Sequence, residues 1–231
     1  MTKENNGENT TLTSIVQSHY GEELDTNNWI CEFKNWKMEL ILDGLYYRFL
    51  DKAAIDCNVS QSPIFRESPI MWKVILRKNP QPNYFISALN NVNHSNSESD
   101  NTEEQREKDR GHFIADSFDK YLLTNDELNA NKSQTNQFFG KNNKSNVSLQ
   151  DSSANRNSKV YAGQLRFEQT VKDYFEKNTI EDAKVYYEIE EVKIEEKVLG
   201  RRLFIQYGEN ENEYIHVFIP EYRDRTSCAS F

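Results

Sequence analysis

Apolar residues alternate with polar ones in short runs along much of this 231-residue chain. KMELIL (37–42) and LYYRFL (45–50) flank Asp43-Gly44, a dipeptide suited to a two-residue hairpin turn because both central positions need φ > 0. MWKVILR (71–77) and NYFISAL (83–89) surround the turn-like NPQP at 79–82. These four runs predict strands of one antiparallel sheet. In KVYYEIEEVKIEEKV (184–198), Val185, Tyr187 and Ile189 alternate with polar positions, and Glu190-Glu191 shifts the phase as a bulge would. The Glu-rich stretch 188–196 reads as a solvated sheet face. RRLFIQY (201–207) and EYIHVFI (213–219) predict the closing strands, with His216 as a structural residue among Val217 and Ile219. GQLRFEQTVKDYFEKN, from Gly163, has the helical period: Phe167, Val171, Tyr174 and Phe175 share one stripe, with Glu168 beside it. The fold class expected is α+β.

Polar tracts divide these elements. Residues 1–28 lack periodicity and predict a flexible segment ahead of a single domain at 29–231. Residues 91–109 and 125–159 read as loops, the second interrupted by Phe138-Phe139, Val147 and Leu149. No run approaches the ~18 apolar residues of a membrane span, and the first 28 residues hold no signal-peptide core. A location in the cytoplasm, or export without a classical signal peptide, is expected. Cys31, Cys57 and Cys228 lie far apart without CxxC or Cys/His spacing, which argues against a disulfide framework or structural zinc.

A net charge of −9 argues at face value against a nucleic-acid partner. The distribution changes that picture. Residues 106–172 hold 11 Lys and Arg against 8 Asp and Glu, a net of +3, while both flanks are acidic.

Within the basic segment, KDRGHFIADSF (108–118) carries Asp109-Arg110-Gly111-His112. Downstream stand Asn146-Val-Ser-Leu-Gln150, Ser-Ala-Asn155 and the helix GQLRFEQTV with Glu168. In that order the set resembles the DNA/RNA non-specific endonucleases, whose ββα-metal (His-Me finger) core carries a DRGH signature. The resemblance covers about 83–220 and is closest to the nuclease toxins of bacterial type VII secretion systems. Leu149 stands where the family has proline, and 13 positions separate Asn155 from Glu168, more than the family's compact spacing.

The resemblance implies that His112 is the general base, that Asn155 holds Mg²⁺, with Mn²⁺ as a substitute, and that Glu168 orients the ion's waters. Arg110 joins this catalytic set in a supporting role, on phosphate or bracing the loop, its side chain directed away from His112. Gly111 provides a tight backbone path or close substrate approach. Asn146, Arg106 and Arg166 are the candidates for substrate contact, and Asn157 is the alternative to Asn155 as ligand. The residue types suit the chemistry. A phosphodiester needs an activated water and positive charge on its oxygens, and a neutral imidazole can take a proton from water near neutral pH. The function implied is metal-dependent hydrolysis of DNA, and of RNA by the same chemistry, with an immunity protein as partner if the chain is a toxin. Two other readings stand beside it: an inactive nuclease scaffold with a binding or regulatory role, and a sequence-specific nuclease of the same superfamily.

Overall fold

Seven strands form one sheet in which every neighbouring pair is antiparallel. The computed structural model describes residues 10–20, 29, 31–93 and 108–221. In chain order the strands are β1 (Met38–Ile41), β2 (Tyr46–Phe49), β3 (Ile64–Arg66), β4 (Met71–Arg77), β7 (Lys184–Ile194), β8 (Lys197–Tyr207) and β9 (Tyr214–Pro220). Their spatial order is β1-β2-β9-β8-β7-β4-β3. A separate ribbon pairs β5 (Lys108–His112) with β6 (Val147–Asp151), also antiparallel. The fold is therefore mixed α and β with a mostly antiparallel sheet, as the alternation predicts. No helix among the described residues is long and apolar enough to cross a membrane.

The strand period of two splits the large sheet into two faces. One presents Trp72, Val74, Tyr187, Ile189, Leu203, Ile205 and Val217, all buried. Against it pack the ribbon and helix Gln164–Lys177, through Phe167, Val171 and Phe175. The opposite face presents Glu188, Arg202, Phe204, His216 and, from β2, Phe49, and is covered by the N-terminal layer that includes Phe33 and Trp36.

Several expectations change. Within the segment expected to be flexible, Leu12–Tyr20 is a helix (α1) whose Leu12, Ile15 and Val16 are buried in the core; residues 1–9 and 21–28 lie outside the described residues. The strand expected at 83–89 is not formed. Its residues make turns leading into a 3₁₀ turn at Ala88–Asn90, and Tyr84 Oη reaches back to the Ile75 amide at 2.7 Å. The β1–β2 connection is a four-residue loop, Leu42 to Leu45, with positive φ at Gly44 (103°) and Leu45 (50°) instead of at Asp43-Gly44. The β7 register shifts at Val192/Lys193, not at Glu190-Glu191.

The tract 125–159 holds helices as well as loop. α2 (Asp119–Leu122), α3 (Asn125–Ala130) and α4 (Lys132–Phe138) fill the chain between the two ribbon strands. α3 starts in a reciprocal capping box, Thr124 to the Glu127 amide and Glu127 to the Thr124 amide. Two further helices follow, α5 (Ser152–Asn155) and α6 (Gln164–Lys177).

Of the 188–196 stretch only Glu195 and Glu196, in the turn after β7, are exposed; the strand part is not a solvated face. Glu188, Glu190 and Glu191 are buried, and Arg202, itself 0% exposed, pairs with Glu188 and with Glu190 at 3.4 Å. The Arg202 guanidinium also lies 3.8 Å from the Phe33 ring centre. Alternation reveals which side chains share a face, and here a second layer covers the polar one.

Candidate functional site

The ribbon fixes where each DRGH side chain goes. Asp109 pairs with Gln150, Gly111 with Ser148 and His112 with Val147. Alternate residues of a strand share a face, so Arg110 and His112 project together, contrary to the expectation that Arg110 points away. Both engage the turn after α4: Arg110 Nη1 donates to the Lys141 carbonyl (3.1 Å) and to Asn142 Oδ1 (2.9 Å), and His112 Nε2 lies 2.7 Å from the Phe139 carbonyl oxygen. A carbonyl only accepts, so Nε2 carries the proton and Nδ1 of the neutral ring keeps a lone pair. The half-buried His112 thus has a fixed tautomer with its basic nitrogen unengaged by any described residue.

On the other face of the ribbon Asp109 holds Arg156 through two bonds of 2.6 Å and accepts from Asn155 Nδ2 at 3.0 Å. Those bonds pin the last residue of α5 and leave Asn155 Oδ1 without a donor among the described residues. Asn157 is exposed, so Asn155 is the better placed oxygen of the two. No hydrogen bond joins His112 to Asn155 or Glu168. Gly111 separates the two faces, and its neighbours explain the glycine: a Cβ there would come within 2.4 Å of Gln150 Oε1, 3.2 Å of Asn155 Oδ1 and 3.3 Å of Arg201 Nη1. The close approach is to the protein's own side chains, not to substrate. Gly111→Ala is expected to destabilise the fold by about 1–3 kcal/mol and to displace the Asn155 oxygen; urea unfolding of the variant would check it. Gln150 is 1% exposed, and neither of its side-chain amide atoms has a hydrogen-bond partner among the described residues.

Beneath the ribbon lies a buried polar chain. Arg201 Nη1 donates to the His112 carbonyl (2.7 Å) and Gln164 Oε1 (2.6 Å), and Nη2 to the Gly111 carbonyl (2.9 Å) and Ser148 Oγ (2.9 Å). Gln164 Nε2 donates to the same His112 carbonyl (2.6 Å) and to Glu168 Oε1 (2.7 Å). Burial pushes the Glu168 carboxyl above its ordinary range, opposed by the Gln164 hydrogen bond. Glu168 therefore connects to the backbone of His112, not to Asn155.

Three candidates for substrate contact fare differently. Asn146 is 0% exposed and spends its amide on Ile114, accepting from the backbone N–H (2.8 Å) and donating to the carbonyl (3.0 Å). It braces the chain after His112 and has no face toward solvent. Arg166 turns to the β1–β2 loop, donating to the Asp43 carbonyl at 3.3 Å, because it lies on the helix side opposite Gln164 and Glu168. Arg106 lies outside the described residues. Arg201 and Gln164 escape a motif search, although two consecutive arginines in an apolar strand were a usable signal: one of them must face each layer.

Exposed Arg110, Lys141 and Lys144 sit on or beside the turn that His112 faces. Next to Phe139 a cleft of about 500 Å³ is lined by Asp116, Ser117, Asp119, Thr135 and Asn136. Its carboxylates disfavour phosphate, which leaves the cationic turn as the better anionic seat. Among the described residues no three His, Cys, Asp or Glu side chains group as a metal site. One free amide oxygen, with water and phosphate filling other positions, fits a hydrated Mg²⁺ and does not fit zinc. No protein-family model, curated protein or solved structure matches the chain.

Proposed function

We propose that this chain is a metal-dependent endonuclease of the ββα-metal type, hydrolysing phosphodiester bonds in DNA and RNA with little sequence preference. The observation that carries the reading is His112: a strand-borne imidazole whose Nε2–H is tied to the Phe139 carbonyl, with Nδ1 free to take a proton. Support comes from the chain order, an antiparallel pair β5–β6 followed at once by the short helix that ends in Asn155.

His112 Nδ1 accepts a proton from water as the water oxygen bonds to phosphorus and the P–O bond to the departing oxygen breaks, that oxygen taking its proton from solvent. Asn155 Oδ1, on the ribbon face opposite the His112 ring, would hold Mg²⁺ and so supply positive charge to the phosphate and the departing oxygen only where one phosphate reaches both faces. Arg110 and Lys141 offer positive charge to the nucleic-acid backbone, where contacts carry little sequence information. Glu168 acts through Gln164 on the backbone of His112.

The test is cleavage of supercoiled plasmid and of RNA by purified protein, with Mg²⁺ and with EDTA. Mg²⁺-dependent smearing supports the proposal. Discrete bands would move the reading to a sequence-specific nuclease, and retained binding without cleavage in Mg²⁺ or Mn²⁺ would make the chain a binding protein on a nuclease scaffold. A toxin setting with an immunity partner rests on the family resemblance alone.

A further inference from the structure

We infer that Arg201, on the central sheet and 89 positions from His112 in sequence, is the residue that positions the His112 base. This rests on the hydrolytic reading above and assigns to it a residue outside the DRGH set.

Arg201 is 1% exposed and yet forms no ion pair with a described carboxylate; Glu168, Glu191 and Glu221 act on it only through space. All four of its hydrogen-bond acceptors are neutral, and two are consecutive backbone carbonyls, those of Gly111 and His112. Its guanidinium carbon lies 4.1 Å from the Phe113 ring centre. The contacts thus grip the chain at three successive residues, 111 to 113, around the candidate base. A planar fork with five donors can hold two carbonyls and two side chains at once, which an ammonium cannot. The three carboxylates offset its charge only through space, so what holds the guanidinium in one place is its four hydrogen bonds, two of them to the backbone around His112. Gln164 completes the grip by donating to the same His112 carbonyl. The bond from His112 Nε2 to Phe139 sets the tautomer on the ring side; Arg201 sets the backbone from which the ring projects.

The experiment compares Arg201→Met, Arg201→Lys and Gln164→Met with the wild-type full chain. It reads kcat and KM for Mg²⁺-dependent cleavage, thermal melting, and the ¹⁵N-detected tautomer of the His112 ring. Arg201→Met is expected to lower kcat by about 100-fold with KM unchanged, because the residue touches His112 and not substrate. Arg201→Lys is expected to recover part of that loss, and Gln164→Met to show a smaller loss of the same kind. The ring signal should move from one Nε2–H tautomer in the wild type to a mixture in Arg201→Met. If Arg201→Met does not fold, the lysine and Gln164 variants decide by the same readouts. A kcat within twofold of wild type, or a change confined to KM, would overturn the inference. If the wild type cuts neither DNA nor RNA, the hydrolytic reading fails, and the tautomer measurement still decides the positioning: an unchanged ring signal overturns it.

Discussion

Replacing His112 with alanine is expected to reduce Mg²⁺-dependent cleavage by about 10²–10⁴-fold, the usual contribution of a general base, with a melting temperature close to wild type. The second half of that expectation follows from the packing. His112 is half-buried, its ring makes one hydrogen bond, and its carbonyl contacts with Arg201 and Gln164 are backbone contacts that alanine keeps. Loss of one neutral hydrogen bond costs about 0.5–1.5 kcal/mol. Single-turnover cleavage of plasmid beside a melting curve would test both halves. Cleavage by the alanine variant at the wild-type rate would remove His112 from the role of base, whatever else the protein does to nucleic acid.

His216 should make the protein acid-labile. It is 1% exposed, stacked on Phe49 at 4.1 Å between ring centres, and its Nε2 receives the Arg202 guanidinium at 3.2 Å while Nδ1–H donates to the Asp51 carbonyl at 2.9 Å. That is the opposite tautomer to His112, and it leaves no nitrogen for a second proton. Burial first, and then the Arg202 charge, lower its pKa from 6.5 to about 3. A depressed folded-state pKa means that the unfolded chain binds the proton first. The stabilising contribution is therefore full above pH 6.5 and is lost as pH falls toward 3. The whole effect is on the order of 4–5 kcal/mol, at about 1.4 kcal/mol per pH unit within the window. Urea unfolding from pH 7 to 4 should show this slope. His216→Gln should be less stable at pH 7, having lost the ring, but should lack one proton's worth of pH dependence. Equal slopes for the two proteins would show that His216 is not the group responsible.

These two histidines also show what could be read without the fold. DRGH placed His112 on a strand among polar residues and marked it as chemical; the apolar neighbours Val217 and Ile219 marked His216 as structural. The tautomers, and so which ring can act as a base, depended on carbonyls from Phe139 and Asp51, 27 and 165 positions away. A capping box at Thr124–Glu127 was legible in the polar tract, yet the density of polar residues there hid the helices it begins. Leu12, Ile15 and Val16 were too few to mark a helix by period, and packing onto the core stabilises them.

The alternation along β1, β2, β4, β7, β8 and β9 and the helical stripe of α6 came directly from residue order, because the strand and helix periods are properties of the backbone. The ribbon that carries Asp109 to His112 was not read from residue order: its partner strand, Val147–Asp151, lies in a tract whose polar residues read as loop, and only the pairing made it a strand. Whether a polar face is wet is not a local property. Glu188 and Glu190 alternate as solvated residues would, and only the N-terminal layer packed over them, with Arg202 between, made them buried. The same holds for Arg201 and Arg166: one is carried by a distant strand beneath His112, the other by helix geometry toward Asp43. Long-range packing decided those placements, since a side chain's partner there lies tens of residues away and leaves no periodic trace in the chain.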